Sequence, residues 1–84
     1  MINTVAFKSV PEFYEKEESG TKPNTVRDLD TDERFNLLRK WARSGRYGFI
    51  QIINTKTEER FLREVTDVSF FKKQVIISWR GIDL

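Results

Sequence analysis

From Tyr47 to Trp79 the chain alternates between runs rich in β-branched and aromatic residues and short polar breaks, which narrows the folds open to it. Tyr47-Gly-Phe-Ile-Gln-Ile-Ile-Asn-Thr55 is the clearest strand. Asn54-Thr-Lys-Thr57 is a turn, Glu59 to Ser69 returns as a second strand, and Lys72-Lys73 marks another turn before Gln74-Val-Ile-Ile-Ser-Trp79, a third strand. Three successive strands with such short connections predict an antiparallel meander.

The first half of the chain supplies different elements. Residues 3–8 predict a short strand, with Val5 and Phe7 alternating with Thr4, Ala6 and Lys8. Pro11 opens a helix, with Glu12 in its first turn, and Ser19-Gly20 stops it. Thr25-Val26-Arg27 is short and extended, because Pro23 and the β-branched pair disfavour a helix there. Asp30 reads as an N-cap, with Glu33 completing a capping-box-like pair. The helix it starts is expected from about Thr31 to Arg43, burying Phe35, Leu38 and Ala42 with Leu37 and Trp41 on the flanks. Ser44-Gly45 ends it. The order β-α-β-α-β-β-β defines an α+β domain, and 84 residues leave room for one domain, 1–84, with one core. The tail Arg80–Leu84 is too short for inference.

Composition removes whole classes of chemistry. Without cysteine there is no disulfide and no thiolate metal site, and without histidine the commonest general base and zinc ligand are gone. Serine-histidine hydrolases, cysteine enzymes and zinc enzymes with histidine or cysteine ligands are therefore excluded. No metal and no cofactor is expected. Asp28-x-Asp30-x-Asp32 resembles the start of a calcium loop only superficially, since Glu33 stands where Gly is needed and Arg39 where Glu is needed. No run approaches the roughly 18 apolar residues of a membrane helix. The segment Met1–Lys8 lacks the basic start of a signal peptide, so the cytoplasm is the expected location.

Charge is unevenly placed. Glu12, Glu15, Glu17 and Glu18 make the first helix acidic, whereas Arg34, Arg39, Lys40, Arg43 and Arg46 follow one another without an intervening acid. Two interpretations stay open: faces with different partners, or an ordinary solvated helix surface. Trp41, Tyr47, Phe70, Phe71 and Trp79 near these cations suggest base stacking, but most are expected in the core. Phe70-Phe71 is the exception, because adjacent strand residues point to opposite faces. Trp41 is the other candidate for exposure.

Gly20-Thr-Lys22-Pro-Asn-Thr25-Val-Arg27 follows a helix and leads into a short strand. Gly20 permits a sharp turn, Thr25 and Arg27 share one strand face, and Lys22 can reach over the same pocket from the loop. Such a set of cations and a hydroxyl suits a phosphate or the carbonyl edge of a base. The pattern Gly-x-Lys-x-x-Thr-x-Arg, with Asp28 after it, an aromatic-rich helix before it and strands such as Phe61–Val68 and Val75–Trp79 later, resembles the ASCH domain. That resemblance implies a small, partly closed, PUA-like antiparallel β-barrel with two helices.

For function, the resemblance and the basic run lead to a module that binds RNA or another nucleic acid, or a nucleotide. Gly20, Lys22, Thr25 and Arg27 would line the ligand pocket, and Arg39, Lys40, Arg43 and Arg46 would contact the backbone. An alternative implied by the same family is an amidohydrolase acting on an N4-acylated cytidine-type nucleoside, with Lys22 activating Thr25. The matching enzymes carry an acid before the last strand, where this chain has Phe70-Phe71-Lys72-Lys73, so Glu64 or Asp67 would have to substitute. A third expectation is a protein-interaction regulator of phage or prophage origin that binds a host protein. A purely structural role also stays open, in which Lys22 and Arg27 pair with Glu17, Asp28 or Glu64 and pin the loop to the barrel.

Overall fold

A computed structural model describes residues 3–80; of the tail, 81–84 lie outside the described residues. Its elements are β1 (Thr4–Ser9), α1 (Pro11–Glu18), β2 (Asn24–Asp28), α2 (Glu33–Ser44), β3 (Phe49–Asn54), β4 (Arg60–Phe71) and β5 (Gln74–Trp79). The α+β class, the element order and the two helices agree with the sequence pattern. One five-stranded sheet, in the order β1-β3-β4-β5-β2, curls into a partly closed barrel. The meander β3-β4-β5 is antiparallel and β2 joins it antiparallel through β5, while β1 lies parallel to β3. Parallel neighbours need a long crossover, and the α1-β2-α2 segment provides it.

The curl has a local cause in β4. Its first half, Arg60–Glu64, pairs with β3, and its second half, Val65–Phe71, pairs with β5. A bulge between Val65 and Asp67 separates the two, and an extra residue at such a point bends a strand and increases its twist. Alternate residues then point inward. Val5 and Phe7 of β1, Ile50 and Ile52 of β3, Phe61, Val65 and Val68 of β4, and Val75, Ile77 and Trp79 of β5 form the sheet's share of the core. Where β3 begins, Gly48 lets the backbone of Asn3 pass close, and a methyl group there would overlap the Asn3 carbonyl oxygen.

The helices cover the concave side. Helix α1 buries Tyr14, whose ring packs 5.4 Å from Phe61, and also Glu17. Helix α2 buries Phe35, Leu38 and Trp41. Trp41 thus belongs to the core rather than to a flank, and Ala42 is only partly buried; the Trp41 Nε1 donates to Asn3 Oδ1 at 3.2 Å. The N-cap of α2 is Asp32, not Asp30. Asp32 Oδ1 accepts from Arg34 N at 2.9 Å, while Asp30 Oδ1 accepts from Thr31 N. The reason is that Leu29 N still bonds Lys73 O, which holds the chain beside β5 past the end of β2 and postpones the helix. Gly45 takes the left-handed conformation that ends α2, with φ +70°.

Among the described residues, both ends of the sheet lack a neighbouring strand. On β1, Phe49 N reaches Asn3 O and Thr55 N reaches Ser9 O, so alternate carbonyls face β3 and those of Ala6 and Lys8 face the open edge. Guanidinium groups occupy that edge. Arg34 Nη1 donates to Ala6 O at 2.9 Å, and Arg27 Nη1 donates to Lys8 O at 2.7 Å. Because Arg27 stands on β2, its side chain spans from one end of the sheet to the other. The barrel's seam is closed by a side chain instead of a ladder.

Candidate functional site

Arg27 is the centre of the seam. Its Nε donates to Thr25 Oγ1 at 2.9 Å, its Nη2 to Ser9 Oγ at 2.7 Å, and its Nη1 to Lys8 O. Thr25 and Arg27 are both on the inward face of β2, as two residues spaced by two on a strand must be. Their neighbour Val26 faces outward and is exposed. The Ser9 hydroxyl passes the chain on, donating to Glu17 Oε1 at 2.8 Å. Burial holds the Arg27 guanidinium below its ordinary pKa, the charge of Arg34 adds to this and Glu17 opposes it. Arg27 and Arg34 both stand over Phe7, 5.0 Å and 4.5 Å from its ring centroid. Arg34 is tied down by Asp32, with Nη2 to Oδ2 at 2.7 Å, and that pair holds the Asp32 carboxyl below the usual carboxylate value.

Beside Arg27, between α1 and the seam, lies a hollow of about 340 Å³. Its floor is polar: Ser9, Glu17, Thr25 and Arg27. Its rim is apolar, made by the exposed side chains of Val10, Phe13 and Val26. Lys8 and Lys22 complete the lining. The Lys22 ammonium stands 5.1 Å over the Phe13 ring and 4.0 Å from Glu17 Oε2. Lys22 N bonds Lys16 O, so the loop that carries the lysine is fastened to the end of α1. Gly20 makes this possible with φ +87° but does not line the hollow. A larger cleft of about 440 Å³ lies against Arg27, Arg34 and Phe7, but Asp28 and Asp30 line it as well.

The structure therefore brings Lys22, Thr25 and Arg27 to one place. It does not bring the basic run there. Arg39 lies 5.9 Å from the Phe70 ring, Arg43 is exposed, and Lys40 and Arg46 line a separate groove with Trp41 and Tyr47. These four sit on the later turns of α2 or just beyond it, whereas Arg34 in its first turn meets the seam; the helix is roughly 18 Å long. Glu64 and Asp67 are not at the hollow either. Glu64 pairs with Arg80 at 3.6 Å, and Asp67 accepts from Ser69 Oγ at 2.7 Å. Of the three acids considered as structural partners, Glu17 faces Lys22, while Asp28 bonds Gln74.

Two members of the site escape the sequence pattern. Glu17 lies among four glutamates of an acidic helix, and nothing in composition separates it from Glu12, Glu15 and Glu18, which are exposed. Its spacing of three from Tyr14 is the only signal, since those two share one helix face. Phe13 is the other: it is next to Tyr14, and an eight-residue helix with one buried stripe leaves it outside. Of the aromatics considered for stacking, Trp41 and Trp79 are buried, and Phe70 and Phe71 are both exposed.

Among the described residues no group of three or more His, Cys, Asp or Glu side chains gathers as a metal site, and no helix is long and apolar enough to cross a membrane. The chain matches no family model, no curated protein and no solved structure.

Proposed function

We propose that the protein is a small cytoplasmic RNA-binding module, ASCH-like in its motif, that takes an unpaired nucleotide into the hollow beside Arg27. One observation carries this: a polar floor of both donors and acceptors lies under an apolar rim. A nucleobase has the same division, with apolar faces and an edge of donors and acceptors, and unstacked bases are what single-stranded RNA offers to a protein. A hollow of about 340 Å³ is within the range of small-ligand sites. Arg39, Lys40, Arg43 and Arg46 supply backbone contacts outside it, which makes binding salt-dependent. A gel-shift series with short single-stranded RNA tests the proposal. Binding that weakens steadily as salt rises, and that Lys22→Ala weakens further, is expected; no shift at low salt refutes it.

A second reading is an amidohydrolase for an N4-acylated cytidine-type nucleoside, because Lys22 and Thr25 share the hollow with a carboxylate, Glu17. Against it, the Thr25 oxygen accepts from Arg27 and the Lys22 ammonium is 4.0 Å from that carboxylate, beyond hydrogen-bond distance. Turnover lost in both Lys22→Ala and Thr25→Ala would establish it.

A further inference from the structure

We infer that Glu17 decides what the hollow accepts: its carboxylate selects the neutral, N–H-bearing edge of a nucleobase over a phosphate or other anion. The inference rests on the RNA-binding reading and adds to it the part of the nucleotide that enters.

Glu17 is 1% exposed, yet it lines the hollow. Its Oε1 is engaged by Ser9, but no hydrogen bond reaches Oε2 among the described residues. No side-chain oxygen sealed from solvent lacks a partner among those residues, so Oε2 keeps a trace of solvent contact, and Glu17 is among the residues that line the hollow. A carboxylate with so little solvent is costly unless something donates to it. Its surroundings are Lys22 at 4.0 Å and the guanidinium of Arg27, whose three nitrogens already donate to Thr25, Ser9 and Lys8 O. Without Glu17 this would be a cationic hollow suited to phosphate. With Glu17 on its floor, an incoming anion meets an acceptor-only oxygen, whereas an N–H meets a free one. The ammonium beside it can donate to the carbonyl or ring nitrogen next to that N–H. Every nucleobase carries an N–H beside an acceptor on its pairing edge, so the match selects base over backbone and leaves the choice among bases to other contacts.

The experiment is a titration of the wild-type protein and Glu17→Gln with the four ribonucleosides, inorganic phosphate and a short single-stranded RNA. Glutamine keeps the volume and an oxygen for Ser9, and a thermal melt reports whether the variant is folded. The wild type is expected to bind at least one nucleoside more tightly than inorganic phosphate. Glu17→Gln is expected to lose about tenfold for nucleosides, as when a charged acceptor becomes neutral, and to gain several-fold for phosphate. A second test needs no variant: methylating the donor nitrogen on the edge of the best-binding nucleoside should cost the wild type a similar factor. If RNA binds but Glu17→Gln and the methylated nucleoside behave like their parents, or if the wild type prefers phosphate, the inference is overturned and the RNA-binding reading stands. If neither RNA nor nucleoside binds, both fall.

Discussion

Replacing Arg27 with alanine removes the side chain that closes the barrel, and the cost can be worked from its partners. Three acceptors lose their donor: Lys8 O, Ser9 Oγ and Thr25 Oγ1. Lys8 is exposed, so water replaces the guanidinium there at little cost. Ser9 and Thr25 are 5% and 2% exposed, and a buried polar group deprived of its partner costs about 1–3 kcal/mol. Ser9 keeps its bond to Glu17, which lowers its share, and the lost contact with Phe7 adds about 0.5–1 kcal/mol. Water entering the space left by the side chain offsets part of this, leaving a loss of about 2–3 kcal/mol. Domains of this size typically have roughly 4–13 kcal/mol of stability in all. At ~4–8 °C per kcal/mol, Tm should fall by about 10–20 °C in a circular-dichroism melt. Arg27→Lys keeps the charge but not the planar fork, and should recover less than half of the loss. A Tm for Arg27→Ala within about 2 °C of wild type would show that the seam is not held by this residue.

Other positions give independent checks. Leu38 is fully buried on α2, so Leu38→Ala should cost about 2–5 kcal/mol in a urea titration with an unchanged slope. Gly48→Ala forces the Asn3 backbone away from β3 and should lower stability by about 1–3 kcal/mol, with amide exchange rising first along β1. Asp32 is held below its ordinary value of 3.8, chiefly by the Arg34 side chain, so its stabilisation is complete above that value and is lost as pH falls through the depressed one. The Tm advantage of the wild type over Asp32→Asn should therefore shrink as pH drops below about 4.

The meander, both helices and the α2 stop at Gly45 were legible because each rests on local chemistry: β-branched runs, a proline at a helix start, a glycine at its end. The N-cap was not, because a long-range bond from Leu29 to Lys73 holds the chain past the end of β2 and postpones the helix beyond Asp30. The parallel partner of β1 was equally invisible, since no local pattern distinguishes a strand that pairs early in the chain from one that pairs late. At the site, Lys22, Thr25 and Arg27 could be grouped from their spacing. Glu17 could not, since its burial depends on Ser9 and Lys22 arriving from two other segments. The basic run looked like one surface, but successive helical residues point 100° apart, which sends Arg39 towards Phe70 and Lys40 to another groove.

Closing the seam with Arg27 makes one side chain serve both the barrel and the hollow. A change there that altered the hollow would also loosen the barrel. Residues of the rim carry no such burden: Val10, Phe13 and Val26 are exposed and line the hollow without holding the sheet's ends together. Substitutions at the rim can reshape the mouth of the hollow while the floor stays as it is. A directed-evolution library aimed at a new ligand should accordingly return substitutions at positions 10, 13 and 26 and leave 27 untouched.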